Sequence, residues 1–164
     1  MDVILSIKPK YVDAILKGVK KFEFRKAIFK NKNIDSIYIY SSSPVKKIIA
    51  SFKVKSIVED DPNNLWGRFK EFSGLNDTEF FNYFLDIERG FAIEIDNLEK
   101  FKQPIDPKEV IPGFVPPQSF CYIDTPMLPR NNSRRVYRNN IRYRINHQNT
   151  ETKTNHQSNL SKYL

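Results

Sequence analysis

The sequence predicts an α+β fold: a small β-barrel-like sheet, with one helix after the first strand and a helical pair inserted between later strands. Three observations predict it. Short runs of alternating apolar and polar residues recur along the chain. Helical spacing appears in only a few places, each with its own stop or start signal. Strands and long helices do not alternate, which argues against a parallel doubly wound sheet and for a closed or mainly-β arrangement.

Val3 to Lys8 reads as the first strand. Pro9 suits the first turn of a helix, and Lys8 before it is held extended. Tyr11, Val12, Ile15 and Leu16 form an apolar stripe, and Gly18 can end the helix in a left-handed conformation. Lys21-Phe22-Glu23-Phe24-Arg25 alternates strictly, so it reads as a strand with both phenylalanines on one face. Ser36 to Tyr40 and Ile48 to Ile57 follow as strands, the latter with Ala50, Phe52 and Val54 on one side. Asp61-Pro62 starts a helix with Leu65, Phe69 and Phe72 on one face, and Gly74 stops it. Asn76 and Glu79 form a capping-box pattern ahead of a helix expected to bury Phe80, Phe81, Phe84 and Leu85. Gly90 to Ile95 returns to strand. Pro104, Pro107, Pro112, Pro116 and Pro117 mark a loop-rich stretch before a closing strand, Ser119 to Ile123. Thirteen Phe and eight Tyr predict an aromatic-rich core.

The chain divides into a folded domain, 1–125, and a tail, 126–164, where apolar residues thin out and disorder is expected. Charge divides there too. The whole carries +8, of which the tail holds +7, leaving 19 basic and 18 acidic residues in 1–125. The basic balance therefore describes the tail and says almost nothing about the domain. Arg134, Arg135, Arg138, Arg142 and Arg144 are the candidate contacts to a nucleic-acid backbone. No apolar run reaches the roughly 18 residues of a membrane span, so no membrane partner is expected. The single cysteine, Cys121, excludes an internal disulfide framework and fits a reducing, cytoplasmic setting.

The functional classes narrow quickly. Both histidines, His147 and His156, lie in the tail, so histidine acid–base chemistry in the domain is not expected. Cys121 lacks a histidine partner and reads as a small buried residue. There is no Gly-rich phosphate loop, and no metal or other cofactor is expected. The one dense cluster is Lys20 to Arg25. On a strand Glu23 and Arg25 project from one face, about 7 Å apart. They can pair, hold a planar polar ligand such as a base, or form a solvated charged face. Lys20 joins that face only if the strand begins at Lys21 or is bulged. Ser6 and Lys8 share a face of the first strand and can line the same cleft. Trp66 reads as a core residue or a stacking cap.

Leu5-Ser6-Ile7-Lys8-Pro9, a helix, then Gly18-x-Lys20-x-x-Glu23-x-Arg25 resembles the signature of the ASCH family. Ser41-Ser42-Ser43-Pro44-Val45 and Pro116-Pro117-Gln118-Ser119-Phe120 are similar to a standalone bacterial and phage branch. The resemblance covers roughly residues 3–123. It implies a PUA-like β-barrel with a cleft beside the first helix, and a role with RNA or a modified nucleoside. One family member is an acetylcytidine amidohydrolase and others are ribonucleases. In the amidohydrolase the lysine matching Lys20 and a threonine matching Glu23 belong to the active site. Glutamate replaces that threonine here, and a carboxylate does not copy an attacking hydroxyl.

The expectation that follows is a binding module: a base in the cleft against Ser6, Lys8, Lys20, Glu23 and Arg25, with the tail on phosphates. The alternative is a small hydrolase of a modified nucleoside or RNA in which Lys20, Glu23 and Arg25 are catalytic. Nothing in the sequence sets an oligomeric state.

Overall fold

The structure, a computed structural model, describes residues 1–31 and 33–124. Its elements are β1 (Asp2–Ile7), α1 (Pro9–Leu16), β2 (Phe22–Arg25), β3 (Ile37–Ser41), β4 (Lys47–Asp60) and α2 (Pro62–Phe69). A 3-10 turn, Lys70–Phe72, leads to α3 (Asp77–Tyr83), β5 (Gly90–Ile105), α4 (Pro107–Val110) and β6 (Phe120–Ile123). The strands form one curled half-barrel in the order β2-β5-β4-β3-β1-β6. β1 and β3 run parallel, linked through α1 and β2, and the other pairings are antiparallel.

β1 lies next to the β6 edge of this sheet and sends apolar side chains to both faces. Val3, Leu5 and Ile7 face a core shared with Val12 and Ile15 of α1, Phe52 of β4 and Ile93 of β5. Ile4 faces a second cluster with Tyr38, Tyr40, Ile48 and Cys121, roofed by Ile111 and Phe114. A third cluster seats α2 and α3 on β2 and β5 through Leu65, Phe80, Phe84, Phe22, Phe24 and Ala92. Burial of this kind gives roughly 25 cal/mol per Å² of apolar surface. Among the described residues no helix is long and apolar enough to cross a membrane.

The helix boundaries have local causes. Lys8 at ψ 142° is extended ahead of Pro9, and Gly18 turns the chain at φ 73° after α1. Asp61 caps α2 by accepting from the Asn63 N–H, and Asn76 with Glu79 completes a reciprocal capping box on α3.

Three expectations are corrected. Phe81 and Leu85 are 38% and 67% exposed, because α3 is short and turns only Phe80 inward, with Phe84 at its end. Phe72 is 42% exposed, since the helix tightens into a 3-10 turn after Phe69 and rotates Phe72 outward, under the Lys21 ammonium. β5 continues well beyond Ile95. Asn97 takes a left-handed φ of 46° at an extra residue opposite Ser51 and Lys53, so Asp96-Asn97 is a bulge in a continuing strand. Pro104 falls in a second irregularity, between Lys100 and Ile105, where regular pairing with β4 is already broken.

Candidate functional site

A cleft of about 1260 Å³ opens where the β2 edge of the half-barrel approaches the end of β1. Ser6, Lys8, Lys20, Glu23 and Arg25 all line it. Sequence spacing left open whether Glu23 and Arg25 faced solvent. Here they are 7% exposed, on the strand face opposite the phenylalanines that anchor β2 to α2 and α3. β2 begins at Phe22, after Lys20, so the parity that would have sent Lys20 to the phenylalanine side does not apply.

The three charges form one buried cluster. Glu23 Oε2 lies 3.3 Å from Lys20 Nζ, and Glu23 Oε1 lies 3.2 Å from Arg25 Nε. Lys20 is 3% exposed; its ammonium donates to the Ser73 carbonyl at 3.0 Å and sits 5.0 Å from the Phe24 ring centre and 5.7 Å from that of Tyr11. Burial pulls its pKa below the ordinary lysine range, and the Glu23 carboxylate opposes that fall. Gly74, at φ 65°, makes this packing possible: a Cβ there would stand 2.8 Å from the Lys20 Cβ and 3.3 Å from that of Ala14.

Arg25 reaches across the opening. Its Nη2 donates to the Ser6 carbonyl at 2.6 Å. Its Nε is buried in the ion pair with Glu23, without hydrogen-bond geometry to any acceptor among the described residues. A planar guanidinium held beside a carboxylate at the wall of a cleft is suited to a planar polar ligand. Ser6 is committed to structure. Its hydroxyl donates to the Pro117 carbonyl at 2.6 Å and its N–H to the Ser119 carbonyl at 2.9 Å, which fixes the segment before β6 at the rim. Lys8 is exposed at the start of α1.

Sequence reasoning missed the aromatic and second cationic walls. Tyr11, Tyr40, Tyr83 and Phe114 line the cleft. Burial holds the three tyrosine hydroxyls above the usual tyrosine range, so they remain protonated donors at neutral pH. Tyr11 belongs to the apolar stripe of the first helix, and a stripe carries no sign of which residue ends at an opening. Lys26, Lys46, Lys47 and Lys108 also line it, with Lys47 paired to Asp106 at 2.7 Å. Trp66 does not line the cleft; it packs on Phe80 with ring centres 4.6 Å apart, the core role. Among the described residues no three His, Cys, Asp or Glu side chains gather as metal ligands. Arg134, Arg135, Arg138, Arg142 and Arg144, with both histidines, lie outside the described residues.

Comparison with known proteins agrees with this architecture. Residues 1–114 match the family described as a domain of unknown function, DUF365. A protein of Zymomonas mobilis named ASCH domain-containing ribonuclease is 32% identical over 128 residues, covering 74% of this chain and 84% of that protein. The crystal structure of ASCH from Zymomonas mobilis superposes with a TM-score of 0.69 at 31% identity, covering 74% of this chain and 86% of that one. A serine-to-alanine mutant of that protein gives the same TM-score at 30% identity, over 74% of this chain and 87% of the mutant. With its half-barrel, its cleft beside the first helix and this degree of identity over most of both chains, the chain belongs to the ASCH domain family.

Proposed function

We propose that the protein binds single-stranded RNA, seating one base in the cleft against Glu23 and Arg25. The observation that carries this reading is the buried Glu23–Arg25 pair at the wall of an open cavity. It sets a carboxylate and a planar guanidinium side by side at the cleft wall. A base edge needs that combination, and an aromatic wall gives its faces something to stack on. The relative's name, a ribonuclease, supports RNA as the class of ligand.

That same name favours a second reading, strand cleavage in this cleft. RNA carries its own nucleophile, the 2′-hydroxyl. Its oxygen would attack the adjacent phosphorus to form a 2′,3′-cyclic phosphate as the bond from phosphorus to the 5′-oxygen breaks. The departing 5′-oxygen would take a proton from water, and the 2′ proton would pass to a base. Glu23 is the residue placed to accept that proton, Arg25 to orient the phosphate, and Lys20 to hold Glu23. This assignment avoids the missing threonine nucleophile, because the substrate supplies the attacking oxygen.

The test uses the full chain with short single-stranded oligoribonucleotides. Glu23→Gln and Arg25→Lys should each weaken binding about 10- to 100-fold, the worth of a hydrogen bond to a charged group. If the chain cleaves RNA, Glu23→Gln should stop cleavage, whereas Lys20→Met should slow it by misplacing Glu23. RNA affinity unchanged in both the Glu23 and Arg25 variants would overturn the proposal.

A further inference from the structure

We infer that the cleft is built for a run of linked phosphates, a segment of about three or more nucleotides, rather than for a free nucleoside. This rests on the reading of the cleft as an RNA site and names the form of RNA it takes. The domain is neutral by composition, but the fold sorts its charges. Seven cationic side chains line the cleft against three carboxylates, while the other residues of 1–125 comprise 12 basic and 15 acidic ones. A cationic hollow therefore opens in a body that is otherwise weakly acidic.

The three carboxylates leave most of that charge standing. Glu23 is shared by Lys20 and Arg25, Glu79 is paired with Lys10, which lies outside the cleft, and Asp106 is paired with Lys47. Among the described residues Lys8, Lys26 and Lys46 are exposed and form no ion pair. They come from three separate places: the start of α1, the end of β2 and the turn between β3 and β4. A nucleoside has no charge for them to meet. A chain of phosphates does, and like charges gathered at one opening are costly until such a partner arrives.

Size points the same way. The volume exceeds the range of about 300–1,000 Å³ typical of small-ligand pockets, so one nucleoside would leave it largely unfilled. The buried Arg25 guanidinium adds a further positive charge at the cleft wall. The phosphate contacts assigned to the tail by composition are thus available within the domain itself.

The experiment measures affinity of the full chain for oligouridylates of one, three and six nucleotides across a salt series. It compares the unaltered chain with a triple variant, Lys8→Gln, Lys26→Gln and Lys46→Gln, whose sites are exposed and leave the core intact. Affinity should rise steeply from one to three nucleotides. Each phosphate neutralised on a single strand contributes about 0.7 to the slope of log affinity against log salt, so the triple variant's slope should be shallower by about 2. RNA binding that persists with an unchanged slope would overturn this inference alone, placing the phosphates elsewhere. Failure of the unaltered chain to bind any RNA would overturn the functional reading with it.

Discussion

Glu23→Ala should lower the unfolding free energy by about 3–5 kcal/mol, the usual cost of removing one partner from a buried charge pair. The reason is local. Lys20 and Arg25 are each almost fully buried, and among the described residues the Glu23 carboxylate is the single anion within ion-pair distance of both. Removing it leaves two cations facing one another with little water to screen them. Thermal or urea unfolding of the full chain checks this, with a fall in Tm of about 6–20 °C expected for a protein of this size. Adding Lys20→Met to the alanine variant should recover part of the loss, because it deletes one of the orphaned charges. A Glu23→Ala protein that melts with the unaltered one would show that the cluster is hydrated and energetically uncoupled.

Phe80→Ala should cost about as much, roughly 3–5 kcal/mol, by a different route. Phe80 is 1% exposed and lies at the centre of the third cluster, with ring centres 4.6 Å from Trp66, 4.8 Å from Phe84 and 5.0 Å from Phe24. Its loss opens a cavity between α3 and β2. Phe24 is the neighbour of both Glu23 and Arg25, so β2 is held in place from behind by the ring that this substitution removes. Denaturant unfolding should show the full destabilisation, and Trp66 fluorescence should report the loosened packing directly. A cost below about 1 kcal/mol would mean that the cluster collapses onto the gap and that β2 does not depend on it.

Much of this architecture is legible in the residues themselves, and the reasons are local. Strict alternation from Lys21 to Arg25 fixes a strand with two opposed faces, because side chains on a strand alternate by geometry. Gly18, Asp61 and the Asn76–Glu79 box announce helix ends, since capping is a matter of a few adjacent backbone groups. That Glu23 and Arg25 share a face follows from the same alternation, but their burial as an ion pair does not. What escapes is what depends on distant segments. Phe81 and Leu85 look buried because an apolar residue on a short helix gives no sign of how far the opposing sheet extends. β5 looks finished at Ile95 because Asp96-Asn97 is ordinary turn chemistry, and only pairing with β4 carries the strand through it. Most of the cationic cleft escapes for the same reason: Lys26, Lys46 and Lys108 lie in separate stretches of sequence, and a near-neutral sum conceals charges that folding separates.

The most direct test of the whole account is where RNA touches the chain. A single-stranded oligoribonucleotide carrying 4-thiouridine should be photocross-linked to the full protein and the modified peptides mapped. Adducts on the aromatic wall, at Tyr11, Tyr40, Tyr83 or Phe114, are the predicted result, lost in Arg25→Lys. Adducts confined to residues beyond 124, or to the side of the sheet away from the Glu23–Arg25 pair, would contradict it.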